Sequence, residues 1–198
     1  MPTIRLAVEG DAEQVRAIYA PYCEADSPVS FEVEPPPVEE IGRRIARTLA
    51  RFPWLVCDDG GEVLGYAYAG PHAERAGYAW SVNASAYTKG GRRRSGVGRA
   101  LYTSLFAALR VQGFVNVYAG ITLPNPASVG LHRAMGFTMI GVYQGVGHKC
   151  GAWQDTSWWE RALRDRPGRP VAPLALPEAR ALPDWGPALA AGLAFLKT

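Results

Sequence analysis

Arg93-Arg94-Ser95-Gly96-Val97-Gly98 has the form R-x-x-G-x-G. It lies between an extended segment and an apolar-periodic run that carries Leu101, Leu105, Phe106 and Leu109. Glycine has no Cβ, so the backbone N–H groups of such a turn can come close to a phosphate. A helix starting there adds unpaired N–H donors and the positive end of its dipole. The chemistry on offer is pyrophosphate binding. Lys89, Arg92, Arg93, Arg94 and Arg99 crowd around the same turn. A solvated charge run is the bland reading of that cluster. The glycines inside it favour a basic rim for a phosphorylated ligand. Two familiar phosphate loops are excluded. There is no G-x-x-x-x-G-K-[ST], and no G-x-G-x-x-G followed by an acidic residue about 20 positions on.

A second run, Asn125-Pro126-Ala127-Ser128-Val129-Gly130-Leu131-His132-Arg133-Ala134-Met135-Gly136-Phe137, opens on an Asn and closes on Met-Gly-Phe. One strand-like segment separates the two runs. In this order they resemble the two signature motifs of the GCN5-related N-acetyltransferase (GNAT) superfamily. Trp54-Leu55-Val56, Gly65-Tyr66-Ala67-Tyr68-Ala69-Gly70-Pro71, Tyr78-Ala79-Trp80-Ser81-Val82, Leu101-Tyr102-Thr103 and Lys149-Cys150-Gly151-Ala152-Trp153-Gln154-Asp155 resemble its phosphinothricin acetyltransferase branch. The resemblance covers residues 4–164. It implies an α/β fold with a central mixed, mostly antiparallel, twisted sheet flanked by helices. It also implies acetyl-CoA as cosubstrate without a metal, and acetylation of the primary amine of a small acceptor. An amino acid or analogue of the phosphinothricin or methionine sulfoximine type is expected. Branch members are commonly homodimers, so a homodimer is expected here.

Acetyl transfer needs a held carbonyl, a neutral attacking amine and a proton for the leaving thiolate. By resemblance, the backbone of residues 84–88, with Ala86, Tyr87 and Thr88, holds the carbonyl and the pantetheine arm. Arg93, Arg94, Ser95, Gly96, Val97 and Gly98 hold the pyrophosphate. Asn125, with Ser128, matches the Asn that reaches the pantetheine amides; Asn also favours a helix N-cap in its own right. His132 stands where the superfamily places the proton donor to the thiolate. The alternative is a hydrogen-bonded histidine with no catalytic task. His72 lies in the expected substrate loop, where the branch often has an aromatic. His148 is expected in an exposed turn.

Asn83 breaks the pattern. The branch carries a Glu there as its general base, and a carboxamide cannot accept a proton near neutrality. A water wire, another carboxylate such as Glu74 or Glu32, or a preference for neutral amines would fill the gap. Phe31, Arg75, Tyr78 and Ser85 match or approximate positions of the acceptor pocket. Arg75 could pair with a substrate carboxylate. Ala73 replaces a Lys found in phosphinothricin acetyltransferases. An alternative reading follows from Asn83: a catalytically weak acyl-CoA-binding protein with a sensing or regulatory role.

The bulk properties agree. With 48% hydrophobic and 20% charged residues in 198, the chain can bury a sizeable core. A net charge of +3 is too mild to indicate nucleic acid, and no aromatic residues interleave the basic run. Cys23, Cys57 and Cys150 are too few and too far apart for a disulfide framework or a zinc site, which fits a cytoplasmic setting. No leader and no membrane span are expected.

Positioning these residues requires a specific series of elements. Strands are expected at 4–8, 52–57, 62–69, 77–88, 114–122, 137–143 and 153–161. Helices are expected from Asp11 to Pro21, from Val38 to Leu49, from Val97 to a stop at Gly113, and from Asn125 to Met135. The domain is read as 1–165, with a Pro-rich extension at 166–198 in which 184–197 form a single helix. That extension serves packing or dimerisation, or is disordered.

Overall fold

The computed structural model describes residues 1–92 and 94–197. In chain order the elements are β1 (Thr3–Leu6), α1 (Ala12–Cys23), α2 (Val38–Leu49), β2 (Trp54–Asp59), β3 (Glu62–Pro71), β4 (Ser81–Thr88), α3 (Val97–Gln112), β5 (Asn116–Thr122), α4 (Pro126–Ala134), β6 (Thr138–Lys149), β7 (Ala152–Ala162), α5 (Leu176–Arg180) and α6 (Trp185–Ala190). The seven strands form one sheet in the order β1-β2-β3-β4-β5-β7-β6. Every neighbouring pair is antiparallel except β4–β5. This is the mixed, mostly antiparallel sheet that the motifs imply. No helix among the described residues is long and apolar enough to cross a membrane.

Strand periodicity assigns the two faces. On β4, Val82, Ala84 and Ala86 pack toward α3, whose Leu101, Leu105, Phe106 and Leu109 fill that side of the core. Tyr87 belongs to the opposite core, where Val15, Ile18, Ile41 and Ile45 bring α1 and α2 onto Trp54, Val56 and Tyr66. Asn83 and Ser85 share the Tyr87 face by the same alternation.

α3 ends as expected. Gly113 adopts φ 96°, and its N–H returns to the Arg110 and Leu109 carbonyls. Three segments differ from the sequence reading. α1 runs through Pro21 to Cys23; the missing proline N–H falls in the last turn, where it interrupts little. Residues 76–78 form a 3-10 turn, and β4 begins only at Ser81. Tyr78 and Trp80 imitate strand alternation, but the Trp80 indole N–H donates to the Val171 carbonyl at 2.7 Å. β6 extends to Lys149, so His148 lies in a strand opposite Trp153 and is exposed there.

The Pro-rich extension folds back over α3 instead of forming one helix. Leu176, Ala179 and Trp185 bury themselves against Ala108 of α3, with Leu6 and Leu189 packed around them. The Ser104 hydroxyl donates to the Leu189 carbonyl at 2.7 Å and accepts from the Gly192 N–H at 3.0 Å. A 3-10 turn at Leu193–Phe195 follows α6. Beyond it, the Lys197 N–H donates to the Ser95 carbonyl at 3.0 Å.

Candidate active site

β4 and β5 pair over only three rungs, from Ser81↔Asn116 to Asn83↔Tyr118. β5 continues to Thr122 along β7, while β4 stays with β3. The two strands therefore part beyond Asn83, and Ala84 to Thr88 face the gap without a β5 partner. Ala86, Tyr87 and Thr88 lie on this free edge, where backbone groups are open to an extended ligand. The edge leads straight into the glycine turn. Gly96 has φ 88° and Arg94 φ 65°, both left-handed. The Gly96 carbonyl accepts the Ala100 N–H and opens α3 at 2.9 Å, so the N–H groups of Val97, Gly98 and Arg99 belong to the unpaired first turn.

Charge around this turn is redistributed relative to the sequence reading. Lys89 is taken up by Glu62 at 2.6 Å. The Arg99 guanidinium lies over the Phe195 ring, 4.1 Å from its centroid. Arg92 and Arg94 are exposed. Ser95 donates its hydroxyl to the Arg92 carbonyl at 2.6 Å. Arg93 lies outside the described residues. Lys197, which the sequence did not flag, lines the same recess with Arg92, Ser95 and Val97. A left-handed glycine, an open helix start and several cations together fit a pyrophosphate.

Asn125 caps α4: its Oδ1 accepts the Ser128 N–H at 3.1 Å. Its amide NH2 makes no hydrogen bond among the described residues, so capping and ligand contact are compatible. His132 sits one turn beyond Ser128 and is only 5% exposed. Its Nδ1 lies 2.8 Å from the Ser128 carbonyl, an acceptor, so Nδ1 carries the proton. Nε2 then accepts from the Tyr102 hydroxyl at 3.0 Å. Burial pushes this imidazole below its ordinary value, against the opposing pull of the Ser128 carbonyl. Burial pushes the Tyr102 phenol up. The ring is thus a neutral link from α4 to α3, with the Phe137 ring edge-on at 5.0 Å.

This geometry carries a stability prediction. The folded protein holds His132 less basic than the unfolded chain, in which it titrates at about 6.5. Its contribution is complete above that pH and is lost as pH falls through the lower folded value. Between these values the parent should lose stability on acidification, at up to about 1.4 kcal/mol per pH unit from this one group. His132→Gln should flatten that slope in urea titrations run from pH 7.5 to 5. An unchanged slope would place the acid sensitivity elsewhere.

On the opposite face, Asn83 meets His72. The imidazole Nδ1 lies 2.9 Å from Asn83 Oδ1. The His72 ring stacks on Tyr118 at 4.2 Å, with Tyr78 and Trp158 edge-on at 5.8 and 6.4 Å. Tyr143 continues the aromatic wall to Trp158 at 5.7 Å. Ser85 lies two residues beyond Asn83 on this face. Arg75 is exposed on the outer rim and lines a cleft with Glu74, Tyr78 and Ser81. Phe31 does not line that cleft; its ring packs on Gly147 of β6, which pairs with Gln154 of β7. Glu32 is occupied by Arg44 at 2.7 Å, and Glu74 is exposed. Sequence reasoning missed Tyr118, Thr156 and Trp158. Thr156 Oγ1 and Trp158 Nε1 are buried without hydrogen-bond partners among the described residues. No local motif marks them, because β5 and β7 assemble this wall from distant segments.

The comparisons with known proteins agree with this geometry. A family model described as an acetyltransferase (GNAT) domain matches residues 4–158. A phosphinothricin N-acetyltransferase of Streptomyces viridochromogenes is 40% identical over 172 residues, covering 86% of this chain and 93% of that one. An L-methionine sulfoximine/L-methionine sulfone acetyltransferase of Pseudomonas paraeruginosa is 38% identical over 119 residues, covering 60% of this chain and 69% of that one. The crystal structure of a phosphinothricin acetyltransferase from Sinorhizobium meliloti, in complex with acetyl-CoA, superposes with a TM-score of 0.80 at 32% identity. It covers 86% of this chain and 93% of that one. With its splayed β4–β5 pair, its glycine turn and these relatives, the chain belongs to the GNAT family of N-acetyltransferases.

Proposed function

We propose that this N-acetyltransferase acetylates the primary amine of a free amino acid or amino-acid analogue of the phosphinothricin or methionine sulfoximine type. The observation that carries this reading is the aromatic wall of His72, Tyr118 and Trp158 around Asn83, at the last paired rung before the β4–β5 gap. The acetyl-CoA arm runs along the free edge of residues 84–88. Gly96, Gly98 and the first turn of α3 hold its pyrophosphate, with Arg94 and Ser95 beside them. The Asn125 amide and Ser128 lie at the far side of the gap for the pantetheine. The orphaned Thr156 hydroxyl and Trp158 indole N–H supply donors that a polar acceptor would satisfy, and Arg75 supplies rim charge for a carboxylate.

His132 acts in this reading as a fastener between α4 and α3. Its neutral state and two engaged nitrogens support that role over the expected donation to the thiolate. CoA release measured by thiol detection, across phosphinothricin, methionine sulfoximine, methionine sulfone and polyamines, tests the acceptor. Turnover on an amino-acid analogue is the expected result. Turnover on polyamines alone would overturn the assignment. The non-catalytic alternative is disfavoured by the named acetyltransferase relatives.

A homodimer is part of the proposal. β6 is an edge strand, and Met139, Ile140, Val142, Tyr143 and Val146 on it are 40–57% exposed, with Trp153 of β7 at 70%. An uncovered edge strand of twelve residues that exposes five large apolar side chains invites a second copy. The parent should elute as a dimer by light-scattering chromatography, and Val142→Asp with Tyr143→Asp should give a folded monomer. A monomeric parent at micromolar concentration would overturn this. A cytoplasmic setting is proposed from the three free thiols, two of them buried.

A further inference from the structure

The general base expected at position 83 is an Asn, and the structure shows what that Asn holds. Its Oδ1 can only accept, so the 2.9 Å contact fixes the proton of His72 on Nδ1. Nε2 then keeps its lone pair, and it has no hydrogen-bond partner among the described residues. The ring lies flat on Tyr118, and the edges of Tyr78 and Trp158 stand around it. An imidazole oriented through one nitrogen, with the other open, is arranged to take a proton from a group placed beside it.

Its location suits that task. The glycine turn lies at the Thr88 end of the free β4 edge. A thioester whose phosphates sit there reaches back toward Ala84, about 14 Å along four residues of strand. Asn83 and Tyr118 form the last paired rung before the gap, and His72 covers that rung. Glu32 is spent on Arg44, and Glu74 is exposed outside the aromatic wall.

We propose that His72 is the general base of this acetyltransferase and that Asn83 is its positioning residue, the pair replacing a single carboxylate. The proposal rests on the amine-acetylation reading above. The acceptor arrives as an ammonium ion. His72 Nε2 takes one proton from it and releases that proton to solvent. The amine lone pair then forms the N–C bond to the thioester carbonyl. The C–S bond breaks with its electron pair on sulfur, and the second amine proton ends on the CoA thiol. Ionisable groups near the ring are the Tyr78 and Tyr118 phenols, Glu74 and Arg75 on the same turn, and Glu160, opposite Tyr118 in the β5–β7 register.

His72→Ala should lower kcat/KM for the acceptor by about 10²-fold at pH 7, with the KM for acetyl-CoA unchanged. The deficit should shrink as pH rises and the amine deprotonates in solution, and added imidazole should restore part of the rate. A loss equal at every pH with no imidazole rescue, or parental activity at pH 7, would overturn the proposal. 15N NMR of the parent supplies a readout free of turnover: His72 should be the Nδ1-protonated tautomer and should lose that preference in Asn83→Ala. A protonated Nε2 in the parent overturns the proposal. Parent protein that releases no CoA with any acceptor counts against the acceptor reading alone, because the tautomer is still decided.

Discussion

Gly96→Ala should weaken acetyl-CoA binding at least tenfold and destabilise the fold. Two costs meet at this residue. Its φ of 88° is left-handed, which costs a residue bearing a Cβ roughly 1–2 kcal/mol. The added Cβ would also coincide with the Phe195 carbonyl oxygen. That obstacle is backbone, so no side-chain rotation relieves it. Either the turn deforms, and its N–H groups leave the phosphates, or the Leu193–Phe195 turn lifts off α3. Titration calorimetry should show acetyl-CoA affinity reduced at least tenfold, about 1.4 kcal/mol, and the melting temperature should fall as well. Gly130→Ala is the control. It lies within α4 with nothing inside 4 Å of its ideal Cβ, and it should be neutral or stabilising by up to about 1 kcal/mol. Parental affinity in Gly96→Ala would remove the turn from the cosubstrate site.

The second large effect lies in the extension itself. Trp185 is 7% exposed and shares a cluster with Leu176, Ala179 and Ala108. Truncating a buried aromatic of this size costs about 3–5 kcal/mol, a large share of the 5–15 kcal/mol that holds a typical domain. Trp185→Ala should therefore move the urea midpoint down strongly, in a single transition shared with the rest of the domain. It should also weaken acetyl-CoA binding, since the same segment ends on the Ser95 carbonyl. A shift below about 1 kcal/mol, or a separate early transition, would show that the extension melts on its own.

These two residues mark what the sequence does and does not reveal. The glycine turn, the Gly113 stop and the Asn125 cap are legible because each is set by backbone conformation within a few residues. The sheet and its order of elements follow from periodicity and from the two motifs. Residues 77–80 misled, since Tyr78 and Trp80 alternate as in a strand while the indole is held by Val171, far along the chain. The extension read as one helix because Leu189, Leu193, Phe195 and Leu196 have compatible spacing. In the fold α6 ends at Ala190, and Gly192 is pressed against the Ala100 carbonyl, where a Cβ has no room. At the active site, Asn83 was visible as a departure, but its partner was not. His72 meets it only through the β3–β4 pairing that sets Gly70 opposite Asn83. Thr156 and Trp158 reach the same wall from another pair of strands, and no spacing rule along the chain connects them.

The fold-back of the extension also sets an order of events during synthesis. Ser104 waits for Leu189, 85 residues downstream, which at 5–20 residues per second is roughly 4–17 s of translation. Until then the outer side of α3 is bare, and the glycine turn lacks the backing of Phe195. A nascent chain halted before residue 176 would carry the motifs that bind acetyl-CoA on an unfinished scaffold. The outer side of α3 and the backing of the glycine turn are therefore completed only after both motifs have been made.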